Sequence, residues 1–512
     1  MTLTCKQKRE ANTMDLQDFR KQIDEIDHEL MALFQRRMET VEKIAAYKAQ
    51  RGLPVRDPRR EEEKREALLG QLPPELQDSA GTLLSCLLTL SREYQHRRIP
   101  PSPGPTLRCG LLGRKLAHSY SPAIHARLGA YEYRLYEREP EELETFLRKG
   151  DWDGLNVTIP YKKAAAACCD QLSPLARSLG SVNTLVRRPD GSLYGDNTDA
   201  WGFSETIRRM GINCAGKKAL ILGSGGASVT VQSVLHQLGA QTVVISRSGA
   251  HNYQNLDQHG DAAILVNATP VGMYPDNEQS PLSLSCLPRL EAVCDLIYNP
   301  ARTRLLLDAE ARGIACTNGL YMLVAQAARS SELFTGKSIS REIQEAIAAQ
   351  VGADMENWIL IGMPGCGKSR TGALLARRTG RPFVDADREL ERRAGMSIPA
   401  FLRRHGEAAF RTLEIQVLRD LGKGSGQIIA TGGGCVTREE NLPALRQNGR
   451  IIWLQRPLDS LTTRGRPLSQ AVGLEELYQS RQPMYARFAD HVVSNAGSLE
   501  DTVRQILEVT AP

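Results

Sequence analysis

The chain has 512 residues, which is sequence for about three domains, because single hydrophobic cores stop growing well short of that length. Its formal net charge is only +6 and it has no polybasic run, so nucleic acid is excluded as the leading partner and small anionic ligands account for the surplus. Eleven cysteines without metal-ligand spacing point to a reducing cytosol, and with no secretory signal and no apolar run of roughly 18 residues the chain reads as cytoplasmic, with no membrane partner.

Residues 1–13 are expected to be disordered, and residues 14–98 read as helix. Counting heptads from Leu16, one core position falls on Leu16, Ile23, Leu30, Arg37 and Ile44 and the other on Phe19, Ile26, Leu33, Thr40 and Tyr47, so Arg37 breaks an apolar seam. A helix from about Asp15 to Lys48 is about 50 Å long, too long to bury that seam on itself. Arg37 and Lys48 share a face, whereas Arg20 lies roughly 25 Å from Arg37 along the axis, so a pocket using all three takes one from a second chain. The set Arg20, Arg37 and Lys48, with Asp57, Arg60 and Glu61 in "VRDPRRE" and Gln95 in "SREYQ", resembles the all-helical chorismate mutase family. The resemblance implies an interlocked homodimer in which Arg37, Arg60 and the second chain's Arg20 clamp a carboxylate, Asp57 adds to the substrate pocket, Glu61 holds a hydroxyl, and Lys48 and Gln95 donate to the breaking ether oxygen. A pericyclic rearrangement moves no proton, so it needs this positioning and charge stabilisation and nothing more. The alternative is a dimerising or ligand-sensing module attached to two enzymes; pyruvate removal from isochorismate on the same helical frame is a third reading.

"IPPSPGPT", residues 99–106, is a linker, because proline fixes an extended backbone. From 107 to 350, short aliphatic runs alternate with helical patterns, as in parallel sheets with crossover helices. In "ALILGSGGAS", Gly223, Gly225, Gly226 and Ala227 open a helix where a pyrophosphate can approach the backbone, with Ser228 in place of the usual third glycine. Further on, "ISRS" puts Ser246 and Arg247 where an NAD-binding chain carries an acid, which favours the 2′-phosphate of NADP. "KLAHSYSPAIH", "NVTIPYKK", "SVNT", "GDNTDAWGF", "NATPVGM", "DLIYNP" and "NGLYMLVAQAA" together resemble shikimate dehydrogenase. The resemblance implies a two-lobed α/β enzyme with a Rossmann nucleotide lobe, in which Ser119 and Ser121 bind the substrate carboxylate, Asn156, Thr158, Asn183, Tyr298 and Gln326 line the pocket, and Lys162 with Asp199 is the catalytic pair. Local sequence alone also allows Asp199 to be a helix N-cap, Tyr161 to pack and Lys163 to be solvated. The segment between Arg247 and "NATPVGM" is short for the family, as though a helix and a strand edge had been trimmed. A quinate-type or NAD-dependent dehydrogenase is the runner-up for this domain.

A softer joint, "QVGADMEN", precedes the last piece, residues 356–512. "GMPGCGKS" after the strand "WILI" is a phosphate-binding loop: Gly362, Gly365, Cys366 and Gly367 supply backbone N–H groups for ATP, Lys368 reaches the outer phosphates and Ser369 can ligate Mg2+. This piece uses twenty arginines and only two lysines, which makes a lysine at that point significant. "FVDADREL", "FRTLE", "TGGG", "RPL" and "RQPMY" resemble shikimate kinase. The resemblance implies a P-loop α/β kinase in which Asp385 helps Ser369 hold magnesium, Asp387 orients the shikimate hydroxyl, Arg411, Gly432, Gly433, Gly434 and Arg481 bind the ring and carboxylate, and Arg464 and Arg466 sit on a short lid. Arg392, Arg393, Arg403 and Arg404 are expected on a solvated helix face. The whole reads as a multidomain fusion of an all-α mutase (1–98), a dehydrogenase (107–350) and a kinase (356–512), joined as a homodimer through its first domain and using NADP(H), ATP and Mg2+.

Overall fold

The computed structural model describes residues 16–51, 58–98, 107–116, 119–461 and 473–511, apart from the side chains of several helical positions that include Arg60, Glu61 and Gln95. Residues 1–13, Asp57, Arg464 and Arg466 lie outside the described residues. Two compact units part at the end of the proline-rich stretch, residues 1–106 and 107–512.

The first unit has helices at Leu16–Arg51, Pro58–Leu69 and Pro74–Arg98. The long helix buries Val41 and Ala45 where it meets the third helix, whose Leu84 and Ser91 are buried in turn. Its heptad seam does something else: Leu16, Ile23, Ile26 and Leu33 are each more than half exposed within the chain. At 100° per residue, Val41 and Ala45 lie about 40° and 80° to one side of Arg37, and Ile44 and Tyr47 about 20° and 80° to the other. Arg37 therefore stands on the border between a face packed within the chain and an apolar face left open.

The second unit is built on three sheets. The first contains β1 (Arg108–Gly113), β2 (Glu132–Glu137), β3 (Gly154–Val157), β4 (Gln171–Leu172), β5 (Thr184–Arg187) and β6 (Leu193–Asp196) in the order β2-β1-β3-β5-β6-β4, with β5 antiparallel to both neighbours. The second is wholly parallel: β7 (Lys218–Leu222), β8 (Gln241–Ile245), β9 (Ile264–Asn267), β10 (Ala292–Asp295) and β11 (Ala315–Thr317) in the order β11-β10-β9-β7-β8. A doubly wound nucleotide lobe has one strand more, outside the second. Here the chain between β8 and β9 holds one short 3-10 turn, Leu256–His259, so β8 is an edge, as the short segment after Arg247 predicts. The third sheet, also parallel, orders β12 (Asn357–Ile361), β13 (Phe383–Asp385), β14 (Ile428–Ala430), β15 (Gly449–Gln455) and β16 (His491–Ser494) as β13-β14-β12-β15-β16. Its strands β12 and β14 are buried throughout and β15 is buried at Ile451–Leu454, as expected of a parallel sheet covered on both faces.

The joint read at "QVGADMEN" is no linker. The helix Arg341–Met355 runs through it and ends one residue before β12, and Gly352 sits where a Cβ would come within 3.3 Å of Leu320. Loops of the second sheet then pack on the N-terminal ends of the third: Arg302 N–H donates to Gln447 O at 2.8 Å, Ala301 N–H to Asn448 Oδ1 at 2.8 Å, and Asn277 Nδ2 to Gln447 Oε1 at 2.9 Å.

Candidate active sites

Two helix starts frame the first site. Lys162 opens the helix Lys162–Ala167 beyond β3, and Asp199 lies in the first turn of the helix Thr198–Arg209 beyond β6. Lys162 Nζ donates to Asp199 Oδ2 at 2.5 Å, and the other carboxylate oxygen accepts from Asn183 Nδ2 at 2.9 Å. Asp199 is thus no N-cap; that position belongs to Asn197, whose side chain caps nothing. Asn183 also reaches Gln326 Oε1 at 3.3 Å, on the helix Leu320–Thr335, and accepts the Thr198 N–H at 2.7 Å. Asn156 donates to Ser330 Oγ at 2.8 Å and accepts from Tyr133 OH at 2.8 Å. Each of these amides is buried and uses several of its polar atoms, so the network fixes side-chain orientation as well as position. Ser121 is buried, and Ser119 Oγ accepts its N–H at 3.2 Å. Tyr298 meets Tyr120 edge to face, centroids 5.8 Å apart. Thr158 stands half-buried just after β3, beside Gly113. Tyr161 is buried and donates to Arg138 O, and Lys163 is exposed; neither enters the site.

Beyond β7, Gly223 adopts φ +100°, a conformation that favours glycine, and a Cβ there would press on Thr269. Gly225 and Gly226 differ: neither has positive φ, and a Cβ on either would meet nothing within 4 Å. The protein itself does not require glycine at these two positions, so the open space over an uncapped helix start is room for a phosphate group. Ala227 is exposed beside it while Ser228 is buried, and Ser246 and the exposed Arg247 follow β8 at the same edge.

The second site is a cavity of about 750 Å³ at the C-terminal ends of β12, β13, β14 and β15. The loop Gly362–Gly367 turns through positive φ at Gly362, Gly365 and Gly367, and Lys368 folds back to donate to Gly362 O at 2.8 Å and Met363 O at 3.1 Å. Cys366 is buried under the loop, its carbonyl accepting from Asn495 Nδ2. Ser369 Oγ donates to Asp385 Oδ2 at 2.6 Å, while Asp385 Oδ1 caps the next helix through the Asp387 N–H. Burial pushes the Asp387 carboxyl up to about 6, with Asp385 and Glu414 adding to the rise and Lys368 opposing it. The three glycines opposite exist for close approach: a Cβ at Gly432 would lie 2.8 Å from Asp387 Oδ1, at Gly433 2.6 Å from Pro364, and at Gly434 2.4 Å from Arg411. Arg411 is buried between Glu414 at 2.8 Å and Glu407 at 3.1 Å, and Arg481 donates to Gly433 O at 3.1 Å. Arg392, Arg393, Arg403 and Arg404 are all exposed, Arg393 while paired with Glu389 and Asp420. Among the described residues, no group of three or more His, Cys, Asp or Glu side chains is arranged to hold a metal ion.

In the first unit Arg37 is half-buried and donates to Ser91 Oγ, Lys48 is half-buried, and Arg20 is exposed. No described helix is long and apolar enough to cross a membrane.

Family models match three stretches: chorismate mutase type II at residues 19–96, the shikimate dehydrogenase substrate binding domain at 111–185, and shikimate kinase at 364–511. The NADP(+) shikimate dehydrogenase of Symbiobacterium thermophilum is 36% identical over 274 residues, covering 47% of this chain and 93% of that protein. The enzyme of the same name from Methanopyrus kandleri is 37% identical over 273 residues, 46% of this chain and 93% of that one. The chain belongs to the shikimate dehydrogenase family. A solved chorismate mutase/shikimate 5-dehydrogenase fusion protein from Clostridium acetobutylicum is 33% identical, covers 48% of this chain and 98% of its own, and superposes with a TM-score of 0.46. With a mutase domain before the dehydrogenase and a kinase domain after it, three enzyme domains of the shikimate pathway stand in one chain.

Several residues of these sites are absent from the sequence reading. In the dehydrogenase, Tyr133, Thr184 and Ser330 complete the amide network. Ser330 was detectable, because it lies four residues after Gln326 and so on the same helical face. In the kinase, Arg456 and Glu414 line the cavity. Arg456 follows the apolar run of β15, and the carboxyl end of a parallel strand is where ligands bind.

Proposed function

We propose that the chain is a trifunctional enzyme that rearranges chorismate to prephenate, reduces 3-dehydroshikimate to shikimate with NADPH and phosphorylates shikimate with ATP. The observation that carries the reading is the Lys162 ammonium held on Asp199, with that carboxylate fixed in turn by Asn183. The test is an assay of the intact chain for prephenate formation, NADPH oxidation and ADP release with the three substrates. ADP release indifferent to shikimate would end the kinase assignment.

In the dehydrogenase, Ser119 and Ser121 take the substrate carboxylate, Thr158 and Tyr298 shape the pocket, and Asn156, Asn183 and Gln326 hold ring hydroxyls. Bound NADPH supplies the hydride. Lys162 gives a proton to the oxygen that becomes negative, and Asp199 holds the ammonium at that oxygen. Gly223, Gly225, Gly226 and Ala227 cradle the pyrophosphate, and Ser246 and Arg247 take the 2′-phosphate. Arg247→Ala is expected to raise the KM for NADPH about tenfold or more while leaving that for NADH nearly unchanged, since only one of the two carries the phosphate; initial rates with both cofactors decide it, and an equal change would remove Arg247 from the site.

In the kinase, the loop Gly362–Gly367 and Lys368 cradle the phosphates of ATP. Ser369 and Asp385 present hard oxygen ligands side by side, as Mg2+ requires, and the ion neutralises phosphate charge when bound. Asp387 accepts the shikimate hydroxyl proton, while Arg411, Arg481 and the Gly432–Gly434 turn hold the ring and carboxylate. Arg464 and Arg466 are assigned to the lid, Arg466 meeting the charge of the transferred group. The kinase cavity opens at the C-terminal ends of its strands, and the dehydrogenase packs on their N-terminal ends.

In the mutase, the open apolar seam on Leu16, Ile23, Ile26 and Leu33 meets a second copy of the chain, which brings Arg20 to Arg37, Lys48, Asp57, Arg60, Glu61 and Gln95. Mixing inactive Arg20→Ala and Lys48→Ala variants should restore roughly half of the mutase activity per mixed dimer, and about a quarter in an equimolar mixture, because one of the two pockets of each mixed dimer is then intact. No recovery would leave the helices as a dimerising or ligand-sensing module. The cytosol, where these metabolites and reduced thiols occur together, is the proposed location.

A further inference from the structure

The interface between the dehydrogenase and kinase domains touches the dehydrogenase pocket at two points. The first is the loop after β10, which carries Tyr298. Asp295 staples its two ends, accepting the Ile297 N–H at 3.1 Å on Oδ1 and the Thr303 hydroxyl at 2.7 Å on Oδ2. Its middle is held from outside the domain. The Ala301 N–H donates to Asn448 Oδ1 and the Arg302 N–H to Gln447 O, both at 2.8 Å, on the turn that leads into the kinase strand β15. The carbonyl of the same Ala301 accepts from Asn318 Nδ2 at 2.8 Å, just before the helix that carries Gln326. One peptide unit is therefore clamped between a kinase turn and a dehydrogenase helix, three residues from Tyr298.

The second point is Tyr120, which lies between Ser119 and Ser121 and packs edge to face on Tyr298. Its hydroxyl is 3.3 Å from Ser425 Oγ, on the kinase loop before β14. The two kinase contacts are themselves connected, since Asn448 Nδ2 donates to Gly424 O at 3.3 Å. Both residues are half-buried, and the kinase domain supplies the partners of the Ala301 and Arg302 N–H groups.

We propose that Asn448 and Ser425 of the kinase domain are positioning residues of the dehydrogenase substrate pocket, holding Tyr298 and Tyr120 in place. The proposal rests on reading residues 107–350 as a dehydrogenase that uses this pocket. It deepens that reading by making one domain's substrate affinity depend on its neighbour.

The test uses the full chain. Asn448→Ala removes the acceptor for Ala301 and should raise the KM for 3-dehydroshikimate about 3–10-fold, with little change in the KM for NADPH or in shikimate phosphorylation. Asn448→Asp keeps an oxygen for the Ala301 N–H but loses the donor to Gly424 O, so it should raise the KM less than Asn448→Ala does; Ser425→Ala, a mild change, should raise it about 2–3-fold. Amide hydrogen exchange of residues 296–303 should quicken in Asn448→Ala, and by less in Asn448→Asp. Unchanged KM and exchange overturn the proposal, and so does a parallel fall of both activities in all three variants, which would mark a purely structural role. If the unaltered chain does not oxidise NADPH with 3-dehydroshikimate, the dehydrogenase reading itself fails, and unchanged exchange of the loop then separately refutes the clamp.

Discussion

Asp387→Asn is expected to lower the turnover of shikimate phosphorylation by about 10²–10⁴-fold and to make the protein more heat-stable above pH 6. The two effects have one cause. Burial raises this carboxyl from its ordinary value of 3.8 to about 6, so ionising it costs the folded protein something that the unfolded chain does not incur. A carboxyl raised in the folded state contributes stability while protonated, and that contribution is lost as pH rises through about 6. The amide never ionises. The stability difference between variant and unaltered protein should therefore open between about pH 4 and pH 6 and level off on the order of 2–3 kcal/mol. Over the same range the rate should move the opposite way, because only the ionised carboxylate can take the hydroxyl proton: kcat/KM for shikimate should rise with pH through about 6 and then flatten. Thermal melts and initial rates measured across pH 4–8 decide the matter. A variant that loses activity without gaining stability would mean that Asp387 is ionised at little cost. One that gains stability and keeps its activity would remove Asp387 from the chemistry.

What the sequence could reveal follows from how local each signal is. The phosphate-binding loop occupies eight consecutive residues, its glycines serve turns within the loop, and its lysine is one of only two among twenty arginines, so spacing sufficed. The run Gly432–Gly434 was legible as a motif, but its reason was not, since the groups that forbid a side chain there, Asp387, Pro364 and Arg411, come from distant segments. Lys162 and Asp199 are thirty-seven residues apart, on two helices whose starts meet across a sheet. Periodicity cannot pair them, and local sequence offered Asp199 a capping role that Asn197 occupies instead. Arg37 was legible as an anomaly in a heptad count, yet the count could not tell that two faces of the helix border on it, one packed inside the chain and one open. The joint at "QVGADMEN" misled because Gly352 reads as a breaker, whereas in the fold it admits Leu320. The contacts of Asn277, Gln447 and Asn448 between domains have no periodicity, and nothing in the sequence marks them.

The dehydrogenase pair gives the other large effect. Lys162→Ala should lower kcat for 3-dehydroshikimate reduction by about 10²–10⁴-fold with little change in the KM for NADPH, because the ammonium meets charge that develops on the carbonyl oxygen only as hydride arrives. Asp199→Asn should cost nearly as much, for a geometric reason. Both carboxylate oxygens already accept, one from Lys162 and one from the Asn183 amide. An asparagine offers one accepting and one donating end, so whichever way it turns, it opposes either the ammonium or the Asn183 N–H. The lysine then loses its anchor, or the anchor loses its own. If the two residues act as one unit, the double variant Lys162→Ala with Asp199→Asn should be no worse than Lys162→Ala alone, since a carboxylate that serves only to hold an ammonium has nothing left to hold. Losses that multiply in the double variant would instead give Asp199 a part in the reaction independent of Lys162, as a base or as a direct partner of a substrate hydroxyl. Steady-state kinetics of the three variants, at saturating NADPH and varied 3-dehydroshikimate, distinguishes the two outcomes.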